Sequence, residues 1–200
     1  TSTLTVRVLL SAIACQPDRG SEAKVGWDAA VAISERHECH VITHVAARGP
    51  IEAKQSQGVA TDVKFHYFGE DFTWHPSRFV ARIQSWIIFS KWQARLLPFA
   101  EELHRRHRFD LAHHLTYVTW RVPSPLWKLP VPLLWGPIGG TAMIPRSFLG
   151  ILSPSAALFE AARYASNAVA TRSKAFRDCA QKTALVVAAN EETEAFFRRF

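Results

Sequence analysis

The feature that most constrains this chain is the regular alternation of short apolar runs with longer segments of helical periodicity. The apolar runs are rich in Val, Leu and Ile and are bounded by polar loops, which is typical of buried strands. We predict strands at residues 6–13, 39–45, 63–68, 111–115, 131–135 and 185–188. Helical patterns lie between or after them, at residues 24–36, 51–57, 79–106 (weakened or kinked near Pro98), 155–182 and 191–200. The alternation predicts an α/β fold: a Rossmann-like, doubly wound, mostly parallel sheet with helices on both faces.

Composition favours one ordinary globular domain. With 200 residues, 48% of them hydrophobic and 20% charged, the chain can bury a sizeable core. No internal repeat or Pro/Gly/Ser linker divides the sequence, so we expect a single domain over residues 1–200. Because the sequence stops directly after the helical pattern at 191–200, we also expect it to be part of a longer protein.

The cysteines and the lack of targeting segments indicate a location. Cys15, Cys39 and Cys179 are odd in number and lack C-x-x-C spacing, so neither a disulfide framework nor a zinc site is expected. The sequence has no apolar run of about 18 residues and no basic segment followed by a cleavable apolar one. We therefore expect a cytoplasmic protein with buried thiols, with peripheral contact at the inner face of the membrane as an alternative.

The net charge of +7 favours an anionic partner, such as a phosphate, a nucleotide or an acidic membrane. The alternative is a solvated basic surface without a partner. Lysines and arginines are scattered and no RNP, KH or zinc-finger pattern occurs, so no nucleic-acid partner is predicted. No aspartate pair has metal-ligand spacing, so no metal is predicted either.

A glycine-containing loop follows the first predicted strand. It reads Gly20-Ser21-Glu22-x-x-x-Gly26-Trp27. Ser21 is a candidate N-cap, Glu22 suits the first turn of a helix, and backbone N–H groups beside Gly20 could hold a phosphate. The spacing matches neither the dinucleotide nor the P-loop fingerprint, and a plain capped turn is the alternative.

Two adjacent histidines lie in the fourth predicted strand. Neighbouring residues of a strand point to opposite faces, so His113 and His114 are not expected to share a ligand. Either one, at the carboxyl end of the strand, could donate a hydrogen bond or act as an acid or base, unless it is a buried structural histidine. Arg121, a few residues later, is a candidate clamp for an anionic oxygen.

A second glycine-containing turn, Trp135-Gly136-Pro137-Ile138-Gly139-Gly140, follows the fifth predicted strand. Trp135 is a candidate core aromatic, Gly136-Pro137 is typical of a rigid turn, and Gly139-Gly140 would leave backbone exposed to a cleft. A tight turn without a ligand is the alternative.

The segment 78–92 combines aromatic and basic residues. Phe79, Trp86, Ile87, Ile88, Phe89 and Trp92 lie beside Arg82 and Lys91. Such a helix could rest on an anionic bilayer, but its apolar residues nearly surround it, which favours burial in the core.

Several segments together resemble the N-terminal half of the retaining glycosyltransferases of family 4, which have the GT-B fold. The matching residues are Cys15-x-Pro17-x-x-Gly20-Ser21-Glu22-x-x-x-Gly26-Trp27, Val41-Ile42-Thr43, His113-His114-x-Thr116-x-x-Thr119-x-Arg121-x-Pro123, Trp135-Gly136-Pro137-Ile138-Gly139-Gly140 with Pro145, and Ala188-Ala189-Asn190-x-x-Thr193. The resemblance implies two facing Rossmann-like domains, of which this one mainly binds the acceptor. The partner molecules it implies are a nucleotide-sugar donor, which is a substrate and not a cofactor, and a glycan or lipid-linked acceptor.

The resemblance also implies roles for individual residues. His114 would be the catalytic strand-end histidine near the reacting sugar, with His113 as the alternative. The donor phosphates would lie against Gly20, Ser21, Glu22 and Gly26. The acceptor would contact His113, Thr116, Arg121, Gly139 and Gly140.

One departure from the family pattern limits the expected activity. The C-terminal domain of the family carries two glutamates separated by seven residues, and none of the eleven glutamates here is followed by another eight positions later. We therefore expect this chain alone to be inactive in sugar transfer. Two other hypotheses remain: a non-catalytic module that docks on a membrane or protein through segment 78–92, and a different Rossmann enzyme such as an epimerase or dehydrogenase, which would lack its usual fingerprint.

Overall fold

A parallel sheet forms the centre of the computed structural model, which describes residues 5–73, 76–117 and 119–200; the side chains of Arg78, Arg82 and Arg146 are not described. Within these ranges the strands are β1 (Arg7–Ala12), β2 (Glu38–His44), β3 (Lys64–Phe68), β4 (Leu111–Thr116), β5 (Leu133–Ile138) and β6 (Leu185–Ala188). Their order is β3-β2-β1-β4-β5-β6, and every described pairing is parallel. This confirms the predicted α/β, Rossmann-like fold, with an all-parallel sheet where a mostly parallel one was expected.

Helices cover both faces of the sheet. They are α1 (Glu22–Ser34), α2 (Arg48–Ser56), α3 (Arg78–His107), α4 (Pro154–Arg172), α5 (Lys174–Lys182) and α6 (Glu191–Phe197). On one face, Trp27 and Ala30 of α1 and Ile51 of α2 pack with Leu10 and Val41 of the strands. On the other face lie apolar residues of α3, α5 and α6, including Phe89, Leu96, Phe176 and Phe196. Both faces of the central strands are therefore buried, which explains why the sequences of these strands are continuous apolar runs.

One prediction for the helices was wrong in detail. The helix expected at 155–182 is divided at Ser173, whose extended backbone ends α4 and whose side chain accepts a hydrogen bond from the Phe176 N–H to begin α5. The helix predicted at 79–106 is confirmed as α3, which contains Pro98. Pro98 is exposed, while Leu96 and Ala100 beside it are buried, so packing on the sheet holds the helix together across the missing N–H.

Gly26 sets the distance between α1 and the sheet. A Cβ atom at this position would lie 2.2 Å from the Ala14 carbonyl oxygen and 3.2 Å from the Cys15 Cα. Both obstacles are backbone atoms, so a side chain could fit only if the helix moved away from the end of β1. The glycine thus brings α1 close to the loop that follows β1.

We predict that Gly26→Ala destabilises the fold, by about 1–3 kcal/mol, because overpacking against backbone outweighs the better helix propensity of alanine. Urea denaturation at constant slope measures the change. Gly49→Ala is the matched control: Gly49 lies in α2 with no described atom within 4 Å of its added Cβ, and this variant should be neutral or slightly more stable. Equal stability of Gly26→Ala and the wild type would contradict the packing role of Gly26.

Candidate binding site at the carboxyl edge of the sheet

The loop after β1 is tied directly to the end of β4. Ala12 pairs in register with Thr116, and the Thr116 hydroxyl both accepts a hydrogen bond from the Ala14 N–H (3.1 Å) and donates one to the Ala14 carbonyl (3.3 Å). Thr116 is buried. Thr116 thus connects the loop after β1 to the end of β4, and its hydroxyl group is used in the two hydrogen bonds to Ala14.

β5 includes Gly136 and Pro137, where a turn was predicted, and a second set of contacts connects β4 and the residues after it to β5 and to the turn that follows. The His113 ring Nε2 lies 2.8 Å from the Gly136 carbonyl oxygen, and Thr119 forms an isolated parallel bridge with Gly139. The Trp120 indole N–H donates to the Gly140 carbonyl at 3.3 Å. Burial lowers the pKa of His113, so the ring is neutral at pH 7 and donates its Nε2 proton to Gly136. Gly139 is buried and Gly140 is exposed, so Gly140 alone of the pair presents its backbone to solvent.

His114 faces the opposite side of the sheet from His113. It is buried beneath α3, where its ring nitrogens lie 3.3 Å from the Ser11 hydroxyl and 3.2 Å from the Gln93 amide nitrogen. Burial is the main cause that lowers the pKa of His114, to about 3. In this conformation His114 is therefore a neutral residue of the core that contacts other side chains. It could affect a bound sugar only indirectly, through those side chains.

The first loop lines a cavity, which we call the loop cavity. Its volume is about 510 Å³, and its walls include Arg19, Gly20, Ser21, Glu22 and Tyr117. Gly26 lies one turn further along α1, in contact with Ala14, and acts in packing. Three of the four residues expected to approach donor phosphates therefore surround one space, and the fourth supports the helix beside it.

Ser21 differs from the expected N-cap. It occupies the N-cap position of α1, but its backbone has φ 61° and ψ −141°, and among the described residues its side chain makes no capping hydrogen bond. Glu22 lies in the first turn as expected. A non-glycine residue with positive φ costs on the order of 1–3 kcal/mol and is typical of functional loops, which supports a binding role for this turn.

A second space, the helix cavity, was not predicted from the sequence. It has a volume of about 720 Å³ and lies between the first half of α3 and the segment after β3. Apolar side chains line most of it, with Glu70, Asp71, Lys91 and Arg95 at its polar parts. His44, Phe72 and Ile88 line both cavities, so the two spaces are neighbours.

Segment 78–92 is partly buried in the core and partly exposed. The sequence left both alternatives open, and each holds for some of its residues. Phe89 and Trp92 are buried. Phe79 is 74% exposed, Trp86 is 46% exposed, and Ile83 and Ile87 are exposed beside them. The spacing 79, 83, 86, 87 places these four residues on one face of α3. The Arg82 side chain, which the sequence also assigned to this surface, lies outside the description.

Arg121 is held next to the second turn. Its Nε donates to the Asn167 side-chain oxygen at 2.7 Å, a second nitrogen approaches the Gly140 carbonyl at 3.5 Å, and its guanidinium lies 5.2 Å from the Trp120 ring centroid. Burial lowers the pKa of Arg121 from its usual value, with Arg163 contributing in the same direction. Arg121 therefore orders the Gly140 backbone, and an acceptor contact would use its remaining N–H groups.

Sequence reasoning missed His44, Ser85 and Tyr117. His44 ends β2 at the same edge, and the Ser85 and Tyr117 hydroxyls lie 3.0 Å apart at the loop cavity. A polar residue at the carboxyl end of a predicted parallel strand is a usable signal, and it would have found His44 and Tyr117. Ser85 lies inside a helix and becomes part of the site only through tertiary packing.

Comparison with models of known protein families gives no match, and comparison with curated protein sequences gives none either. Within the described residues, none of the helices combines the length and the apolar character needed to cross a bilayer.

We predict that His114 makes stability depend on pH. The pKa of His114 in the folded chain lies below the value of about 6.5 expected in the unfolded chain. Below pH 6.5 the unfolded chain therefore binds a proton at His114 that the folded chain does not bind. The free energy of unfolding should therefore fall as the pH is lowered from 6.5 towards 3. His114→Gln should reduce the slope by about 1.4 kcal/mol per pH unit near pH 5, measured by urea denaturation at stepped pH. An unchanged slope would show that His114 is accessible to protons in the folded state.

Proposed function

We propose that the chain is the acceptor-side domain of a retaining glycosyltransferase, which transfers a sugar from a nucleotide-sugar donor to a glycan or lipid-linked acceptor. One observation carries the proposal: the segments 20–22, 113–117, 119–121 and 136–140, which resemble family 4, lie at one edge of a Rossmann-like sheet and are connected to one another or open to one cavity. Ligands of open α/β sheets bind at this edge. The donor domain would belong to the full-length protein.

The loop cavity is suited to the diphosphate of the donor. The N-terminus of α1 directs backbone N–H groups and the positive end of the helix dipole towards it, and Arg19 adds a positive charge in the cavity wall. These groups would stabilise the negative charge that develops on the departing nucleoside diphosphate. The N-terminus of α1 and Arg19 would therefore be sufficient for the proposed contact with the diphosphate, without a contribution from residues buried in the sheet.

The turn after β5 would hold the acceptor. Gly140 exposes its backbone, while Trp120 and Arg121 fix the position of its carbonyl. His113 acts as a positioning residue through its contact with the Gly136 carbonyl. His114, in the core, also positions: it supports β4 from below through Ser11 and Gln93. Oriented groups of this kind place an acceptor hydroxyl on the face of the sugar from which the nucleotide departs.

Arg19→Ala in the full-length protein should lower kcat/KM for sugar transfer by about 10- to 100-fold, because one charge-assisted contact to the diphosphate contributes roughly 1.5–3 kcal/mol. The measurement is product formation from a panel of nucleotide sugars, with the anomeric configuration read by proton NMR. Arg36→Ala is the matched control, since Arg36 lies after α1, close to the opposite edge of the sheet.

Three results would count against the proposed function. They are equal activity of the Arg19 and Arg36 variants, inversion at the anomeric carbon, and a full-length protein without a second α/β domain carrying two glutamates eight positions apart. The first result would show that the loop cavity does not bind the donor. Either of the other two would show that the protein is not a retaining glycosyltransferase of this class.

The exposed face of α3 favours a lipid-linked acceptor over a free glycan. Phe79, Ile83, Trp86 and Ile87 form an apolar surface on the helix that lines the helix cavity. Lys91 lies further along the same helix and lines that cavity, as does Arg95, which forms an ion pair with Glu70. An apolar strip with a lysine nearby suits an anionic bilayer, at which the acceptor would be presented. Peripheral docking on a membrane is accordingly the second function that we propose for this chain.

Phe79→Ser combined with Trp86→Ser should reduce sedimentation of the protein with vesicles that contain phosphatidylglycerol. Both side chains are exposed, so the fold should persist, as checked by circular dichroism; Trp92 is unsuitable because it is only 3% exposed. Phe159→Ser is the matched control, an exposed aromatic on α4. Equal losses from the control and the double variant, or no loss from the double variant, would contradict docking through α3.

A further inference from the structure

We propose that His40, His66 and His107 form a binding site for a divalent transition metal of the zinc class. One ring nitrogen of each histidine lies within 4.8 Å of the corresponding nitrogens of the other two. The His40 Nδ1 and the His66 Nε2 are 3.0 Å apart. Three imidazoles with a fourth position for water are an established zinc ligand set, and imidazole also suits copper and nickel.

The site lies at the amino edge of the sheet, away from both cavities. His40 and His66 belong to neighbouring strands β2 and β3, and His107 is the last residue of α3. In register, His40 pairs with Leu9 of β1 and with Lys64, near the start of their strands. Three separate elements thus meet at the histidines, and a bound ion would link them.

The spacing of the nitrogens is close to that of a metal site. Tetrahedral coordination with Zn–N bonds of about 2.0–2.1 Å places ligand nitrogens about 3.3 Å apart. His40 and His66 already meet this spacing within about 0.3 Å. His107 is half-buried at the end of a helix, so a rotation of its side chain can bring its nitrogen inwards.

Glu38 supplies the support that metal-binding histidines usually have. Its Oε1 lies 3.0 Å from the His40 Nε2, so this nitrogen donates its proton to the carboxylate and the Nδ1 lone pair is directed towards His66. A carboxylate behind a ligating imidazole fixes the tautomer and raises the basicity of the ring. Lys64 in turn holds the Glu38 Oε1 at 2.5 Å. The orientation of the fully buried His40 is therefore fixed before any ion binds.

Metal binding would replace the hydrogen bond between His66 and His40. In the structure the His66 Nε2 donates to the His40 Nδ1, which satisfies both rings without an ion. When the metal binds, the His66 proton moves to its Nδ1, and both facing lone pairs become ligands. His66 and His107 are half-buried, so the ion and a water ligand can enter from solvent.

The test is a titration of untagged, EDTA-treated protein with Co²⁺, whose tetrahedral complexes absorb in the visible range, followed by displacement with Zn²⁺. We expect one ion per chain, a tetrahedral spectrum, and a rise in Tm on Zn²⁺ addition because the ion binds the folded state. Glu38→Gln should weaken binding by about 10- to 100-fold, the usual effect of removing an outer-shell partner. His107→Ala should abolish the spectrum, and its half-buried helix-end position should leave the fold intact.

His37→Gln is the matched control. It removes a histidine at the same edge of the sheet whose ring accepts a long hydrogen bond from the Val6 N–H, at 3.5 Å. Its Co²⁺ spectrum should equal that of the wild type. A wild-type chain without a tetrahedral spectrum, or binding that survives His107→Ala but is lost in His37→Gln, would overturn the proposal and leave the three rings as a cluster held by ring contacts and by the His40–His66 hydrogen bond.

Discussion

The two hydrogen bonds between Thr116 and the Ala14 backbone form the junction on which the candidate site depends. They hold the loop after β1 against the end of β4, and the close packing of Gly26 on Ala14 places the start of α1 at the same point. The His113 contact with Gly136 extends this connection to β5, which leads into the turn at Gly139 and Gly140. Because each contact fixes a backbone segment, the edge of the sheet presents its loops in a defined arrangement before any ligand binds.

The two edges of the sheet differ in chemistry. The carboxyl edge carries exposed loops, two neighbouring cavities and an apolar helix face, which together suit a large amphipathic substrate. The amino edge carries three histidines and a carboxylate in close contact, which suit a small cation. A metal at that edge would link β2, β3 and α3 and stabilise the wall of the helix cavity, so its effect on the carboxyl edge would be structural.

The sequence predicted the fold closely because strand and helix periodicity are local properties of the chain. It predicted one helix across Pro98, but it could not predict the break at Ser173, because that break depends on how the two segments pack on the sheet. For the site, loop positions followed from strand ends, whereas His114 was expected in the cleft and lies in the core. Strand alternation separates His113 from His114, but the choice of face is made by tertiary packing. The histidine cluster and the helix cavity combine residues far apart in sequence.

The most direct test of the central claim is NMR mapping of where a nucleoside diphosphate binds. In ¹⁵N-labelled protein, titration with UDP or GDP at millimolar concentration should shift the amides of Gly20, Ser21 and Glu22 at the loop cavity. The amides of His37 and Glu38 at the amino edge should not move. Shifts confined to the amino edge, or none with either nucleotide, would contradict the assignment of the carboxyl edge as the donor-facing side of a glycosyltransferase.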